Sequence, residues 1–595
     1  MTALEYHEAT KHHFHRFARS AGHLDWATQP DPFRRYSGAP LIALPRDALT
    51  VDVPYRALYD DSAPVRTITD ATVAEFLRCS LGLSAWKQHR TSRWALRVNP
   101  SSGNLHPTEA YLIRNGRVSH YAPREHALEE RCVFADEAPA AFGDGQPGFL
   151  VALTSIHWRE AWKYGERAFR YCQHDAGHAI AALRFSAAML GWRVSLLPWS
   201  DAAIAAALGL DRDDDFADAE REEPECIAVV TPRTPESRIE HDADAIVSAA
   251  RTARWSGHAN KLSPSRVEWP IIDDVAQATR RVDRRQVDAA PRSVRLQPDP
   301  PTRSVRLEPD LPTRSVRLEP DLPTRSVRLQ PDPPGARQII LQRRSAVAFD
   351  ARSTLPRDTF LSMLARTQPT APPWDAIDWP PHVHLLLFVH RVEGLTPGVY
   401  ACLRDPAVLN EWRDAMRAEF LWEPVNDSNE SNDPNGLYLL LPFDVTWVAN
   451  RVSCDQDIAA DGFFSLGMIA RLESSIHDRE WFYRRLFWES GIIGQTLYLE
   501  AEAAGARSTG IGCFYDDPVH EAAGLSGREW QSLYHFSMGV PVEDDRLTTE
   551  PGYEWERQES GRSETSGRSG KVGASKREGS GPGSVATRPP PCTLR

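Results

Sequence analysis

The chain has 595 residues, of which 41% are hydrophobic and 25% charged, and this is ordinary for a globular protein of roughly two to four domains. Its formal charge of −12 argues against a nucleic-acid-binding protein, which usually carries a basic face. No apolar run is long enough to span a membrane, no signal peptide is visible, and the eight cysteines form no CxxC pair. We therefore expect a cytoplasmic protein with reduced thiols and no bound metal.

The first informative motif is a polar turn in the segment Arg97-Val-Asn-Pro-Ser101-Ser102-Gly103-Asn104. Proline, serine, glycine and asparagine in succession predict a turn that exposes backbone amides and short polar side chains. Such a turn can hydrogen-bond the edge of a polar heterocycle. Composition alone also fits a helix N-cap or a plain turn.

A helix-like segment occurs twice in the chain. HDAGHAIAALRFSAAMLGW around Gly177 and WESGIIGQTLYLEAEAAGA around Gly491 align at an offset of 314 residues, which also pairs Gly191 with Gly505. Small and apolar residues at helical spacing predict a long buried helix that ends at a glycine C-cap in each half. A second match upstream, HYAPREHAL with VYACLRDPAVL, supports a duplication. Each half is predicted to be α+β, with helices packed on a mostly antiparallel or mixed sheet.

The first copy of this helix also contains a possible zinc motif. His174 and His178 are four residues apart, as in HExxH, but Asp175 stands where that motif has its general-base glutamate. No third ligand follows at a suggestive distance. A zinc hydrolase that uses the two histidines is therefore an outside alternative.

A proline-rich repeat separates the two halves. RSVRLQPDPPT begins at Arg292, and near-copies begin at Arg303, Arg314 and Arg325. Because a period of eleven residues is too short to bury a core face, we predict an extended, polyproline-like linker. After Glu556, serine, glycine and charged residues replace large apolar ones, which predicts disorder. The predicted organisation is a first domain with a C-terminal extension (1–282), a disordered linker (283–337), a second domain (338–548) and a disordered tail (549–595).

Two segments of the second half complete the candidate site. Arg343-Arg344-Ser345 precedes a predicted helix, and two guanidinium groups at the positive end of a helix could bind a phosphate. A solvated charge pair explains the same residues equally well. In Thr509-Gly510-Ile511-Gly512, the glycines permit close approach of the backbone to a flat ring or a phosphate.

Together these segments resemble the FMN-dependent nitroreductase superfamily, and especially its SagB/ThcOx-type dehydrogenase branch, which includes azoline oxidases that act on ribosomally made peptides. The turn RVNPSSGNLHPTEAY carries the most specific match, supported by YHEATKHH near the start and WKYGERAFRY at Trp162–Tyr171. The resemblance implies a dimeric α+β fold with FMN between the subunits. One subunit supplies the RRS segment and the glycine loop, and the other supplies the PSxxN-type turn.

In this chain each half lacks what the other retains. The first half has PSSGN but no RRS segment before its helix ATVAEFLRCSLGLSAW, and Ser195-Leu-Leu-Pro198 replaces the glycine loop. The second half has RRS and GIG but carries PTAPPWDAIDWPP where the turn would stand. We infer an intramolecular pseudo-dimer with one composite FMN site and one dead site.

The resemblance also implies a role for each site residue. The ring side of FMN would meet Ser101, Ser102 and Asn104, and Arg97 and Gly103 of the same segment would also belong to the cofactor site. The phosphate or ribityl end would meet Arg343, Arg344 and Ser345, and Gly510 and Gly512 would present backbone amides. Lys163 and Tyr164 match a lysine-tyrosine pair that azoline oxidases use in proton removal, although Lys163 also fits an ordinary surface lysine. The chain departs from the family at Val347, where an arginine usually provides a further phosphate contact.

The function expected from this resemblance is that of an FMN-dependent oxidoreductase, with hydride transfer through flavin N5. A reduced nicotinamide, NAD(P)H, or a substrate C–H would be the donor, and the substrate would be a small molecule or a peptide. The competing hypothesis is a non-catalytic binding or scaffold protein with an eroded flavin site. Loss of half of each site favours the scaffold, whereas retention of one complementary set favours the enzyme.

Overall fold

The computed structural model describes residues 1–46, 53–134, 148–233, 242–282, 326–327, 334–425 and 436–556. They form an N-terminal half, up to residue 282, and a C-terminal half, from residue 334, and each half is a sheet with helices packed on it. The predicted α+β class is confirmed. Most of the repeat linker, and the tail beyond residue 556, lie outside the described residues. No helix in the described part of the chain has the length and apolar character that a bilayer crossing requires.

The N-terminal half begins with α1 and ends with α8. Its helices are α1 Ala3–Ala9, α2 Asp70–Arg78, α3 His157–Tyr164, α4 Ala168–Met189, α5 Asp201–Leu208, α6 Asp213–Phe216, α7 Ala243–Thr252 and α8 Pro270–Ala278. Its strands are β1 Tyr36–Ser37, β2 Leu41–Ala43, β3 Leu83–His89, β4 Ser92–Arg97, β5 Thr108–Arg114, β6 Arg117–Ala122, β7 Ala127–Val133, β8 Phe149–Ser155, β9 Trp192–Leu196, β10 Glu223–Pro232, β11 Arg254–Trp255 and β12 His258–Ala259.

The C-terminal half begins with α9, just after the linker. Its helices are α9 Ala336–Gln342, α10 Arg357–Arg366, α11 Leu409–Ala415, α12 Thr446–Val452, α13 Ile458–Asp461, α14 Glu473–Ile476, α15 Phe482–Ala503 and α16 Asp516–Ala523. Its strands are β13 Leu355–Pro356, β14 Val383–Val389, β15 Val392–Glu393, β16 Gly398–Cys402, β17 Glu423–Pro424, β18 Leu437–Pro442, β19 Phe464–Arg471, β20 Arg507–Ile511, β21 Trp530–Gly539 and β22 Thr548–Pro551.

The main sheets of the two halves share the same topology over six strands. The strand order is β11-β7-β6-β5-β8-β10-β9 in the N-terminal half and β17-β18-β16-β14-β19-β21-β20 in the C-terminal half. All of the pairings along both paths are antiparallel. Six consecutive strands therefore correspond in chain order and place, β7-β6-β5-β8-β10-β9 with β18-β16-β14-β19-β21-β20, as the predicted duplication requires. The edges differ, because β11 follows β10 in the chain, β17 precedes β18, and β2 also pairs with β7.

The repeated helices α4 and α15 cross at the centre of the molecule. Both have 22 residues and both are followed by a glycine with positive φ, Gly191 and Gly505, as predicted. A Cβ atom on Gly177 would overlap the backbone oxygen of Trp488, and one on Gly491 would lie 2.8 Å from the Cα atom of Gly177. Because both positions are glycine, the two backbones can touch. Residues related by the 314-residue offset thus meet each other, as in a two-fold interface within one chain.

The C-terminal end of the described chain packs on the N-terminal half. Strand β22 extends the β3–β4 hairpin, and the hydroxyl of Tyr553 accepts a hydrogen bond from the Leu83 amide at 3.0 Å. The prediction of a disordered tail from residue 549 is therefore wrong for residues 549–556. Composition did not indicate this ordering because the segment is short, and its partners lie more than 400 residues earlier in the sequence.

Candidate functional site

The predicted polar turn forms a short 3₁₀ segment over Ser102–Asn104, in which Gly103 has φ 58°. The Ser101 hydroxyl accepts a hydrogen bond from the His106 amide at 2.7 Å, and the Asn104 side chain donates to the backbone oxygen of Ala95 at 2.7 Å. Gly103 is exposed, and its three neighbours are half-buried. The turn is therefore held rigidly from within and keeps an accessible backbone edge.

Two buried acids lie beneath this turn. The Asp175 carboxylate accepts hydrogen bonds from the amide of Ser102 at 3.2 Å and from its hydroxyl at 3.3 Å, and Ser101 donates to Glu160 at 3.4 Å. Burial raises the pKa of both carboxyls, and the charge of Asp175 raises that of Glu160 further. A carboxyl pair of this kind retains a proton more readily than an exposed pair would. The sequence analysis did not select Glu160, and it gave Asp175 no role in the flavin site.

The predicted proton-transfer pair lies directly against the turn. A Cβ atom on Gly103 would be 2.6 Å from the Tyr164 hydroxyl and 3.2 Å from Lys163 Nζ. Both side chains are half-buried, and the Lys163 ammonium lies 5.1 Å from the centre of the Tyr164 ring. The structure thus brings together the turn and the lysine-tyrosine pair, which are about 60 residues apart in the chain.

The arginine pair lies at a different helix end from the predicted one. Arg343 is the C-terminal capping residue of α9, and the next helix, α10, begins only at Arg357. The predicted role for the positive end of a helix is therefore wrong, because a helix C-terminus carries partial negative charge. Val347 is 74% exposed, so its side chain contributes little to the buried part of the site.

The two guanidinium groups are buried or half-buried, and the charge of the neighbouring carboxylate Glu502 raises the pKa of both without offsetting the effect of burial. Arg343 donates to the backbone oxygen of Arg97 at 3.1 Å, and Arg344 donates to three further backbone oxygens, including that of Ser84 at 2.8 Å. No carboxylate among the described residues lies within 4.0 Å of either group. Burial, followed by the charge of Arg343, lowers the pKa of Arg344 to about 9, and burial lowers the pKa of Arg343 as well. Two positive charges in such surroundings favour a bound anion.

The glycine loop faces the arginine pair through one tyrosine. The hydroxyl of Tyr498 accepts a hydrogen bond from the Gly510 amide at 2.9 Å and lies 2.9 Å from the Ser345 hydroxyl. The Arg343 guanidinium lies 4.9 Å from the centre of the same ring. Ser345, Gly510 and Arg343 therefore converge on one point, although they come from two separate parts of the C-terminal half.

Four tyrosines connect the two parts of the site, and we call them the tyrosine cluster: Tyr164, Tyr171, Tyr498 and Tyr534. Tyr164 and Tyr171 lie 4.3 Å apart between ring centres. A Cβ atom on Gly512 would overlap the Tyr171 ring, and one on Gly510 would overlap the Tyr534 hydroxyl. The cluster thus joins the turn of the N-terminal half to the glycine loop of the C-terminal half. The sequence analysis assigned a role only to Tyr164, because tyrosines on buried helices and strands resemble ordinary core residues.

The position that corresponds to the candidate site when the two halves are exchanged is occupied by an ion pair. Arg184 is the counterpart of Tyr498 at the 314-residue offset, and it is fully buried. Its guanidinium makes two hydrogen bonds of 2.8 Å to the carboxylate of Asp375, in the segment that replaces the polar turn. A bidentate pair of this kind leaves no free charge for an anion.

The remaining predicted residues have structural partners. Arg97 is buried and donates to the backbone oxygens of Thr108 at 3.0 Å and Pro32 at 2.6 Å. His174 Nε2 lies 3.0 Å from the backbone oxygen of Leu533, and His178 Nε2 lies 3.3 Å from the Tyr534 hydroxyl. Within the described ranges no group of three or more His, Cys, Asp or Glu residues is placed to hold a metal ion. This geometry does not support the zinc alternative.

Comparisons with known proteins agree with this architecture. Residues 340–540 match the family model described as "Nitroreductase family". The structure of a "putative nitroreductase" from Anabaena variabilis is similar to this chain with a TM-score of 0.60 and 18% identity, over 91% of this chain and 100% of that chain. The Escherichia coli microcin synthetase McbBCD complex, with truncated pro-MccB17 bound, matches with 18% identity and a TM-score of 0.23, over 39% of this chain and 88% of that chain. No curated protein matches the chain.

These findings identify the fold. Residues 340–540 match the nitroreductase family model, and six strands of the N-terminal half follow the same order around an equivalent central helix. The chain is therefore folded as two tandem nitroreductase-like domains.

Proposed function

We propose that the protein is an FMN-dependent oxidoreductase with one flavin site, composed of residues from both halves. The observation that carries the proposal is the arginine pair: Arg343 is buried, Arg344 is half-buried, and neither forms an ion pair within 4.0 Å among the described residues. The exposed hydroxyl of Ser345 lies close to this pair, against the same Tyr498 side chain. A phosphate monoester supplies the anion that these groups lack. The closed ion pair of Arg184 and Asp375 supports a single site rather than two.

The residues around the arginine pair fit a polar heterocyclic cofactor. A buried polar atom without a hydrogen-bond partner, Arg343 Nε, lies beside the Tyr498 ring of the tyrosine cluster. Groups of this kind are rare in proteins unless a ligand or water satisfies them. The Tyr498 hydroxyl is hydrogen-bonded to Ser345 and to the Gly510 amide. For FMN to bind these two groups, the tyrosine hydroxyl must share or release both hydrogen bonds.

In this proposal the C-terminal half holds the phosphate end and the N-terminal half holds the ring. Arg343, Arg344 and Ser345 neutralise and orient the phosphate, and Gly510 and Gly512 offer backbone amides where larger residues would collide with tyrosines. The backbone edge of the turn at Ser101, Ser102, Gly103 and Asn104 faces the ring. When bound, FMN supplies the two-electron chemistry, and the protein supplies binding, orientation and exclusion of water.

Lys163 and Tyr164 move the substrate proton in this scheme. Both lie against Gly103, at the accessible edge of the turn. The buried acids Glu160 and Asp175 lie beneath it and hold a proton close to the reacting groups. With this pair the proposed chemistry corresponds to that of the SagB/ThcOx-type dehydrogenases, with a peptide or small molecule as substrate and NAD(P)H as a second electron donor.

Flavin content tests the proposal most directly. We expect one FMN per chain in the purified full-length protein, measured from its visible spectrum and from flavin released on denaturation. Ser345→Ala and Arg344→Gln remove hydrogen bonds to the phosphate. Each is expected to weaken FMN binding by about 1.5–3 kcal/mol, which is roughly tenfold to a hundredfold.

Arg193→Gln is the matched control for these two variants. Arg193 corresponds to Arg507 at the 314-residue offset, and it lies beside the closed pseudo-site with a side chain that is 55% exposed. It should bind FMN as the unchanged protein does. Absence of flavin from a folded protein, even after incubation with excess FMN, would contradict the enzyme proposal.

Gly103→Ala tests the contribution of the N-terminal half. Alanine with positive φ costs about 1–2 kcal/mol, and its Cβ atom would also displace Tyr164 and Lys163. We expect both a lower free energy of unfolding and a loss of FMN. Gly116→Ala is the control, because Gly116 has φ 67° in the β5–β6 turn and no atom within 4 Å of its Cβ position. If the two variants bind FMN equally well, the turn does not belong to the flavin site.

One observation favours a second candidate, a non-catalytic binding protein. The Tyr498 hydroxyl accepts a hydrogen bond from the Gly510 amide and lies within hydrogen-bond distance of the Ser345 hydroxyl. This arrangement is expected if Gly510 and Ser345 no longer bind a cofactor. Tyr498→Phe distinguishes the two candidates. An enzyme should bind FMN at least as well after the substitution, whereas a scaffold should show no flavin binding before or after it.

A further inference from the structure

Two cysteines face each other beside the glycine loop. Cys454 follows α12 and Cys513 follows β20, and their Sγ atoms are 3.0 Å apart. Both residues are half-buried, whereas the other described cysteines, Cys79, Cys132, Cys172, Cys226 and Cys402, are buried. The pair therefore combines proximity with partial access to solvent.

The backbone holds the two cysteine segments side by side. The Tyr515 amide donates to the backbone oxygen of Val452 at 2.9 Å, and each cysteine is two residues away from that hydrogen bond. The side-chain amide of Gln456 donates to the backbone oxygens of Ser453 at 2.7 Å and Cys513 at 2.9 Å. These contacts fix the approach of the segments, and the two sulfurs at 3.0 Å must come about 1 Å closer to reach a bonded S–S distance of about 2.05 Å.

The surroundings make the two thiols unequal. The hydrogen bond between the two thiols lowers the pKa of Cys513 and raises that of Cys454. Burial and the charge of Asp516 oppose the lowering at Cys513, the charge of Arg167 adds to it, and the net shift is downward. Arg167 is held near Cys513 because it donates to the backbone oxygen of Gly512 at 3.3 Å. Cys513 is therefore the more nucleophilic member of the pair at neutral pH.

We propose that Cys454 and Cys513 are a thiol–disulfide redox pair that exchanges with low-molecular-weight disulfides. The Cys513 thiolate attacks one sulfur of a disulfide RSSR, its S–S bond breaks, and one RS⁻ leaves, so that a mixed disulfide forms on Cys513. Cys454 then loses its proton and attacks the Cys513 sulfur, which releases the second RS⁻. The two protein thiols are oxidised to one disulfide, RSSR is reduced, and the two protons of the protein thiols pass to the two leaving thiolates.

The product would tie the glycine loop to the end of α12. Gly512 immediately precedes Cys513, so the cross-link would restrain the segment that carries Gly510 and Gly512. The exchange reaction needs no flavin. A failure of the thiol–disulfide proposal would therefore leave the proposed oxidoreductase activity untouched, and the reverse also holds.

The test is a redox titration of the full-length protein in mixtures of oxidised and reduced glutathione, followed by alkylation and peptide mapping. We expect two thiols per chain to disappear together, a peptide that links Cys454 to Cys513, and no lasting glutathione on either residue. Reduction should restore both thiols. Complete alkylation of both residues in the most oxidising mixture would overturn the proposal, as would a cross-link that involves other cysteines instead.

Two variants sharpen this titration. Cys454→Ser removes the second thiol, so glutathione should remain on Cys513 as a stable mixed disulfide. Cys132→Ser is the control, because it removes a buried cysteine of the other half and should leave the Cys454–Cys513 cross-link unchanged. Persistent glutathione on Cys513 in the unchanged protein would also contradict a paired reaction. The unchanged protein alone decides the question if a variant fails to fold.

Discussion

Replacing Asp516 by asparagine is expected to lower the free energy of unfolding by about 3–5 kcal/mol, because it leaves two buried arginines without their counter-charge. Asp516 is fully buried and receives hydrogen bonds from Arg167 at 2.9 Å and Arg170 at 2.8 Å. It also accepts from the His12 amide at 2.8 Å. One carboxylate of the C-terminal half thus holds the N-terminal segment and the start of α4. Denaturant unfolding of the variant measures the loss.

Asp517→Asn provides the matched control for this prediction. The Asp517 side chain is 41% exposed and pairs with Lys11 at 3.1 Å, so its loss should cost less than about 1 kcal/mol. Equal effects of the two substitutions would show that the buried network does not stabilise the contact between the halves.

The same carboxylate predicts how stability depends on pH. Burial by itself raises the pKa of Asp516, but Arg167 and Arg170 together lower it well below its usual range. A group with a lowered folded-state pKa stabilises the protein above its unfolded pKa, roughly 3.9, and loses this contribution as pH falls further. We therefore expect acid to destabilise the unchanged protein below about pH 4, and to destabilise Asp516→Asn less steeply over the same range.

Alanine at Gly177 or Gly491 is expected to lower the free energy of unfolding by about 1–3 kcal/mol, because a methyl group has no room at the helix crossing. The added Cβ atom meets backbone atoms of the opposite helix, which cannot rotate away as a side chain can. The helices must move apart, and this also separates the two halves of the candidate site. Thermal or denaturant unfolding measures the first effect, and flavin content measures the second.

Gly494→Ala is the graded comparison on the same helix. Its Cβ atom would lie 2.6 Å from Cε1 of His178, a side-chain atom that can shift, so we expect a smaller loss than at Gly491. The double variant Gly177→Ala/Gly491→Ala should lose less than the sum of the single variants, since one separation of the helices accommodates both methyl groups. Strict additivity would argue against direct contact at this crossing.

Sequence patterns predicted the repeated architecture because its signals are local. Helical spacing of small residues and a terminal glycine recur at one offset, and both helices begin and end at equivalent positions, 168–189 and 482–503. The polar turn, the arginine pair and the glycine loop were found in the same way. Their assembly into one flavin site remains a prediction that flavin content can decide.

Other features depended on contacts that no local pattern contains. The arginine pair lies at the C-terminus of α9, where the sequence analysis expected the start of a helix. Residues 549–556 pack on the N-terminal half because β3 pairs with β22 and because Tyr553 and Glu556 contact Leu83 and Arg78. Tyr498 and Arg184 occupy equivalent positions, yet one contacts Ser345 and the other pairs with Asp375. Which partner each meets depends on residues far away in the chain.

The sequence by itself therefore determined the two-domain α+β organisation and the two central helices. It also located the polar turn, the arginine pair and the glycine loop along the chain. These follow from spacing, turn chemistry and glycine positions within single segments. Only the tertiary structure decided that Gly177 meets Gly491, that Glu160 and Asp175 lie beneath the turn, and that Cys454 faces Cys513. The physical reason is that burial, charge neutralisation and thiol proximity are properties of pairs, and the chain brings these pairs together only when its two halves and its long loops pack.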